Sequence, residues 1–202
     1  MNIRRVVTGH DDQGRAKVMI DETVKNVVSQ RPGALYSVIW SSEGFPINND
    51  AELDPSGKKI GTTISDGTVF RIVSFGPGVA PRNHRTDSID YAVVMSGEID
   101  MDLDGTVVHL MAGDVLVQRG TIHNWINKGS EACVIAFVLI SAKSVTAGGK
   151  TLSSPRLASL GTVLGLPVQL CVVPENSHFI ESDSSRTGEI GFDARTFRDP
   201  IP

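Results

Sequence analysis

From Glu98 to Asp104 polar and apolar residues alternate without a break, and Gly105 follows at once. Side chains along a strand alternate between its two faces, so Ile99, Met101 and Leu103 share a dry face while the acidic residues take the wet one. Asp104-Gly105 supplies the residue types that a tight hairpin turn needs, because glycine tolerates positive φ. Thr106 to Leu110 returns as the partner strand. A further turn at Ala112-Gly113-Asp114 leads into another strand starting at Val115. This stretch commits the middle of the chain to antiparallel sheet.

The same punctuation runs through the rest of the first 150 residues. Arg4 to Thr8 and Ala16 to Ile20 flank Asp11-Asp12-Gln13-Gly14 and read as a hairpin, and Leu35 to Trp40 and Thr68 to Phe75 read as two more strands. Cys133 to Ile140 is continuously apolar, the pattern of a strand covered on both faces. Short strands with turn residues between them, and no long helical periodicity, specify an all-β fold: an antiparallel barrel or jelly roll. Residues 43–66 carry Pro46, Asn48-Asn49-Asp50, Pro55 and Gly57 and read as a surface loop or lid. After residue 142 the expectation is a short helical or irregular extension. Pro155 to Leu164 suits a short helix, Pro167 to Val173 one more strand, and the polar stretch from Pro174 a loosely held or partner-dependent tail.

Set into this apolar strand sequence are His84-Arg85-Thr86, then Asp90, and later His123. By alternation His84 and Thr86 share a face, and after a kink at Asp87-Ser88 the side chain of Asp90 returns to it. An ionised carboxylate facing a barrel interior is costly unless it is paired or bound to a cation, so Asp90 needs a partner. His84, His123 and a metal ion are the candidates. Two imidazoles and one carboxylate suit a divalent ion with open positions for substrate, water or dioxygen. Without an ion, His84 donating to Asp90, with Thr86 closing a hydrogen-bond chain, satisfies the same groups. A histidine beside a carboxylate is also a general acid/base pair.

Gly78, His84, Asp90 and Gly97 fall at the spacings of the first motif of the cupin family, and this stretch resembles it. Thr86 stands where that motif has its second histidine, and Asp90 where it has glutamate. Gly113 through Gly120 and His123 to Asn127 resemble the second motif, with one residue fewer before Gly120 and Gln118 in place of proline. The resemblance spans roughly residues 67–141. It implies a double-stranded β-helix in which residues 1–66 pack on a core of 67–141 and 142–202 form an extension, all in one structural domain. It maps His84, Asp90 and His123 to three of the four metal-binding places of the family, with Fe(II) or Zn(II) as the ion. Thr86, with a neutral hydroxyl, is a poor fourth ligand, and the shorter side chain of Asp90 leaves the metal-free alternative open.

The resulting expectation is an enzyme that converts a small, hydrophobic, oxygen-rich molecule, aromatic, keto-acid or polyketide-like, of the kind met in secondary metabolism. His84, Asp90 and His123 are the candidate catalytic residues, and Thr86, Tyr91, Arg119 and Trp125 the candidate substrate contacts. Strict alternation puts Trp125 on the interior face with His123 and turns Tyr91 away from Asp90. A metal-free lyase or isomerase using the His/Asp pair, and a non-catalytic ligand-binding protein, are the alternatives. His10, His109 and His178 read as surface histidines, and Arg82 and Arg85 as either solvated or mouth-lining cations.

A net charge of -4 without a clustered basic stripe argues against nucleic acid and anionic membrane as partners. No apolar run approaches membrane-spanning length, and no signal-peptide stretch follows Arg4-Arg5, so a cytoplasmic location is expected. Cys133 and Cys171 do not suggest a disulfide framework. A homodimer is expected, because small cupins pair through their sheets and exposed edge strands benefit from cover.

Overall fold

Antiparallel pairing organises the computed structural model, which describes residues 2–50, 54–58 and 60–154. The strands in chain order are β1 (Arg4–His10), β2 (Ala16–Thr23), β3 (Val27–Arg31), β4 (Ala34–Glu43), β5 (Gly67–Phe75), β6 (Ser88–Ser96) and β7 (Glu98–Leu103). They continue with β8 (Thr106–Met111), β9 (Val115–Arg119), β10 (Asn124–Ile126), β11 (Cys133–Ser141), β12 (Val145–Ala147) and β13 (Lys150–Leu152). One 3-10 turn, Pro55–Gly57, lies in the long connection between β4 and β5. The helix expected over Pro155–Leu164, the strand over Pro167–Val173, Cys171, His178 and the polar tail all lie outside the described residues.

Six strands form the larger sheet, in the order β3-β4-β5-β11-β6-β9, and three form the smaller one, β10-β7-β8. The crossing order follows the jelly-roll expectation, since chain neighbours β5 and β6 are separated by the late strand β11. β7 and β8 pair from Glu98↔Met111 to Leu103↔Thr106 around the Asp104-Gly105 turn, where both residues have positive φ. The dry face read from the sequence is realised: Ile99 and Met101 are each 2 % exposed. They join Val69, Phe75, Ala92, Val94, Trp125, Ile135 and Phe137 in one core between the two sheets.

β11 confirms the reading of Cys133–Ile140 as a strand covered on both faces. Cys133, Ile135, Phe137 and Leu139 enter the main core, while Val134 and Ala136 pack on a second cluster of Val24, Ile39 and Ile72. That second cluster is where the N-terminal segment meets the larger sheet. Arg5 of β1 ties it down, since its buried guanidinium donates to Ile39 O at 3.2 Å and pairs with Glu22 and Asp54. Gly97, between β6 and β7, has φ 74°, and a Cβ there would lie 2.6 Å from Ala132 O. The close passage of β11 over this turn therefore demands glycine.

Candidate functional site

His84 precedes β6 and His123 precedes β10, and the two residues form an isolated antiparallel bridge. Each backbone N–H donates to the other's carbonyl, at 3.1 Å from His84 and 2.9 Å from His123. A mutually bonded pair of this kind places both side chains on the same face. The imidazole centroids are 4.4 Å apart with the rings tilted by 46°. The two motifs that the sequence separates by nearly forty positions thus converge on one point.

The ring nitrogens are set by the local backbone. His84 Nδ1 lies 3.1 Å from Arg82 O, and His123 Nδ1 lies 3.1 Å from Thr121 O. A carbonyl only accepts, so each Nδ1 carries the proton and each Nε2 is the unprotonated nitrogen, that of His123 lying 3.4 Å from the Gln118 amide. The amide nitrogen of Gln118 is placed 2.7 Å from His123 Nδ1, while its Oε1 is buried without a partner. Turning that amide over gives Oε1 the Nδ1 proton and removes the conflict, and we assign it so. Gln118 occupies the position where the family motif has proline; a donor-acceptor side chain there orients His123 instead.

Both imidazoles are held neutral. Burial, then the neighbouring His123 and the positive Arg82, pushes His84 down to about 3. Burial also lowers His123, with Arg82 and Arg31 acting in the same direction against the Thr121 carbonyl. Asp90, 4 % exposed, moves the other way, raised by burial against the opposing pull of Ser88 and Arg71. Its hydrogen-bond partner is Ser88, whose Oγ donates to Asp90 Oδ1 at 2.5 Å. Thr86 Oγ1 lies within hydrogen-bond distance of Ser88 Oγ, at 2.9 Å, and also acts on Asp90. The expected chain from His84 through Asp90 to Thr86 is therefore replaced by a Thr86–Ser88–Asp90 chain, and the Nδ1 proton of His84 goes to the backbone.

His84, Thr86, Asp90, Gln118, His123 and Trp125 all line one cavity of about 360 Å³. Trp125 is 3 % exposed, stacked on Phe75 at 5.6 Å and edge-on to His123 and Phe137 at 5.9 Å each. Tyr91 and Arg119 do not line it. Tyr91 is 48 % exposed on the outer face of β6, and Arg119 is exposed at the end of β9. Alternation explains both placements, since each is one residue from an inward neighbour, Asp90 or Gln118. His10 and His109 are exposed, as read from the sequence.

Sequence reasoning missed Arg31, Tyr36, Arg71 and Gln118, which complete the wall. Arg71 carried a legible signal, because it interrupts the inward series Val69, Val73, Phe75 of β5 with a charge. Among the described residues no three His, Cys, Asp or Glu side chains converge closely enough to share one ion. No helix among them is long and apolar enough to cross a membrane.

A family model described as a cupin domain matches residues 71–140. Over 157 residues the chain is 34 % identical to a protein of Aspergillus ruber named cupin-domain-containing oxidoreductase fogC, covering 72 % of this chain and 76 % of that one. Over 157 residues it is 47 % identical to phomopsin biosynthesis cluster protein D of Diaporthe leptostromiformis, covering 73 % and 83 % respectively. Oryzines biosynthesis cluster protein J of Aspergillus oryzae is 36 % identical over 124 residues, covering 58 % of this chain and 67 % of that protein.

Proposed function

This chain belongs to the cupin family, and from that premise we propose that it is a small-molecule enzyme of a biosynthetic pathway whose reaction takes place between His84, His123 and Asp90. The observation that carries the proposal is the bridged pair of neutral imidazoles, each with an unprotonated Nε2, in the wall of a cavity of about 360 Å³. Two such lone pairs in one chamber are unsatisfied until something electrophilic, a cation or an acidic proton, meets them. The names of the relatives, an oxidoreductase and two biosynthesis-cluster proteins, support the same direction.

A divalent ion fits the nitrogen half of this site. His84 and His123 would hold it, and Asp90 is the candidate carboxylate, although the three do not gather into a single cluster. Bound there, an Fe(II) or Zn(II) ion would polarise a carbonyl or enolate oxygen, or in the case of iron engage dioxygen. The protein's own contribution is orientation. Arg82 O and Thr121 O fix the tautomers, and Gln118 and Trp125 fix the ring of His123. The neutrality of the histidines favours a second reading, in which Nε2 itself takes a proton from a carbon or hydroxyl acid as general base. In that case the reaction is a lyase or isomerase step.

Elemental analysis of protein purified without chelator and without a histidine tag separates these readings. Near-stoichiometric iron or zinc is expected in the wild type and its loss in the His84→Ala/His123→Ala double variant. Wild type that carries no ion and takes up none when Fe(II), Zn(II) or Mn(II) is added removes the metal reading and leaves the general base.

A homodimer is part of the proposal. Tyr91, Val93 and Met95 on β6 and Val115 and Val117 on β9 are all exposed by 45 % or more. Tyr91 pairs with Val117 and Val93 with Val115, so they form one apolar patch at the edge of the larger sheet. Patches of this kind mark association surfaces. Light scattering at micromolar concentration is expected to give twice the chain mass, and a monomeric mass would contradict it.

A further inference from the structure

The cavity carries more positive charge than its own residues neutralise. Arg31, Arg71 and Arg82 line it, and Asp90 is the one carboxylate among its lining residues. Among the described residues none of these three arginines forms an ion pair; outside the cavity Arg4, Arg5 and Arg15 pair with Asp21, with Glu22 and Asp54, and with Asp11, while Arg85 and Arg119 do not. In a chain of net charge -4 there is no shortage of carboxylates to pair with. Arg71 acts on Asp90 across the cavity, and among the described residues Arg31 and Arg82 have no carboxylate partner.

Their hydrogen bonding is also incomplete. Arg71 is 7 % exposed, its guanidinium donates to the carbonyls of Gly61 and Thr62, and its Nε has no partner. Among the described residues Arg31 donates one bond, to Ala80 O at 2.7 Å, and lies over the Phe75 ring, 5.9 Å from its centre, and Arg82 makes no side-chain bond. Arg82 lies two residues before His84 and its carbonyl meets His84 Nδ1, while Arg31 donates to Ala80 O two residues before Arg82, so both stand near the imidazoles. Cations gathered in a poorly solvated space repel, and that cost is offset when an anion enters between them. Guanidinium groups favour carboxylates in particular, because two parallel N–H donors match two oxygens.

Facing these charges is an apolar wall of Tyr36, Val73, Phe75, Trp125, Phe137 and Leu139. A small inorganic anion has nothing to gain from it. We infer that the substrate is an organic acid: its carboxylate is held by Arg31 and Arg82 at the mouth, its aromatic or branched apolar body lies against Phe75 and Trp125, and Arg71 offers Nε to a second oxygen deeper in. This rests on the reading of the cavity as the reaction chamber, and it narrows the oxygen-rich class expected from the sequence to acids. Of the cations read from the sequence as candidates for the mouth, Arg119 and Arg85 do not line the cavity and Arg82 does, joined there by Arg31.

Calorimetric titration of the full-length protein with 3-phenylpropanoate and phenylpyruvate, with their methyl esters and with sulfate, tests this. The acids are expected to bind about 10- to 100-fold more tightly than the esters, the range of a charge-assisted pair. The Arg31→Gln/Arg82→Gln variant is expected to lose that difference while binding the esters as before. If the double variant does not fold, Arg82→Gln, at an exposed position, is expected to lose at least part of it. Equal binding of acid and ester, sulfate binding as tightly as the acids, no binding of either acid, or an acid preference that survives the double substitution would each overturn the inference. Ion content of the His84→Ala/His123→Ala variant is read separately. An acid preference that depends on the arginines in a protein that takes up no ion upholds the substrate class while removing the metal reading, and the converse removes the class alone.

Discussion

Trp125→Ala is expected to lower the unfolding free energy by about 3–5 kcal/mol, the range for deleting a buried aromatic side chain. Trp125 is 3 % exposed and meets three rings, Phe75 from the larger sheet, Phe137 from β11 and His123 two positions before it. Removing the indole leaves a void that joins the cavity, so the surrounding strands gain little by closing on it. β10 is only three residues long and pairs with β7 alone, which leaves the side chain as its main attachment to the core. The sequence left Trp125 between substrate wall and core; it is placed in the core and lines the cavity as well. Urea denaturation followed by circular dichroism measures the loss, with Trp125→Phe retaining most of the stability. A cost below about 1 kcal/mol for the alanine variant would mean that the indole is a loosely held lining residue and that β10 is anchored elsewhere.

Strand positions were legible wherever the two faces differ in polarity. Glu98–Leu103, with its Asp-Gly turn, is found as read, because one wet and one dry face fix both period and register. β3 (Val27–Arg31) escaped because its exposed Val27 and Val28 break the alternation that signals a half-buried strand. Its last residue is Arg31, so the missed strand took a cavity cation with it. β12 and β13 are three residues each around Gly148-Gly149, too short for any period to declare itself.

At the site, alternation placed His84, Thr86, Asp90, His123 and Trp125 on the inward face and turned Tyr91 out. Alternation cannot say which inward group meets which. The pairing of His84 with His123 comes from a backbone bridge between two segments outside the regular strands, and Ser88 claims Asp90 because it lies two positions before it on the same face. Arg71 was visible as a charge at an inward strand position. Its lack of an ion pair was not, since that depends on which carboxylates the fold brings near. That Arg31, Arg71 and Arg82 gather in one cavity lined by a single carboxylate belongs to the tertiary structure alone.

Chelator-treated protein is expected to lose stability as pH falls from 7.5 to 5, and the His84→Asn variant to lose about 2 kcal/mol less over the same interval. The ordinary imidazole value is 6.5, and burial beside His123 and Arg82 lowers it to about 3 in the folded protein. Between these values the unfolded chain takes up a proton at His84 and the folded one does not, so protonation favours unfolding. The stability associated with the neutral ring is complete above about 6.5 and is lost progressively as pH falls towards 3. Each pH unit below 6.5 costs about 1.4 kcal/mol, which sets the difference at pH 5. His123 acts in the same direction, and Asp90 opposes them, because its raised value favours the folded state as acid is added. Comparing wild type with His84→Asn cancels these shared contributions and isolates one ring. Urea midpoints at several pH values give the two curves, and parallel curves would show that His84 titrates as in water. In that event its Nε2 would be protonated for part of the population near neutrality. The reading of a permanently bare nitrogen, for an ion or for a substrate proton, would then fail together with the tautomer assigned from Arg82 O.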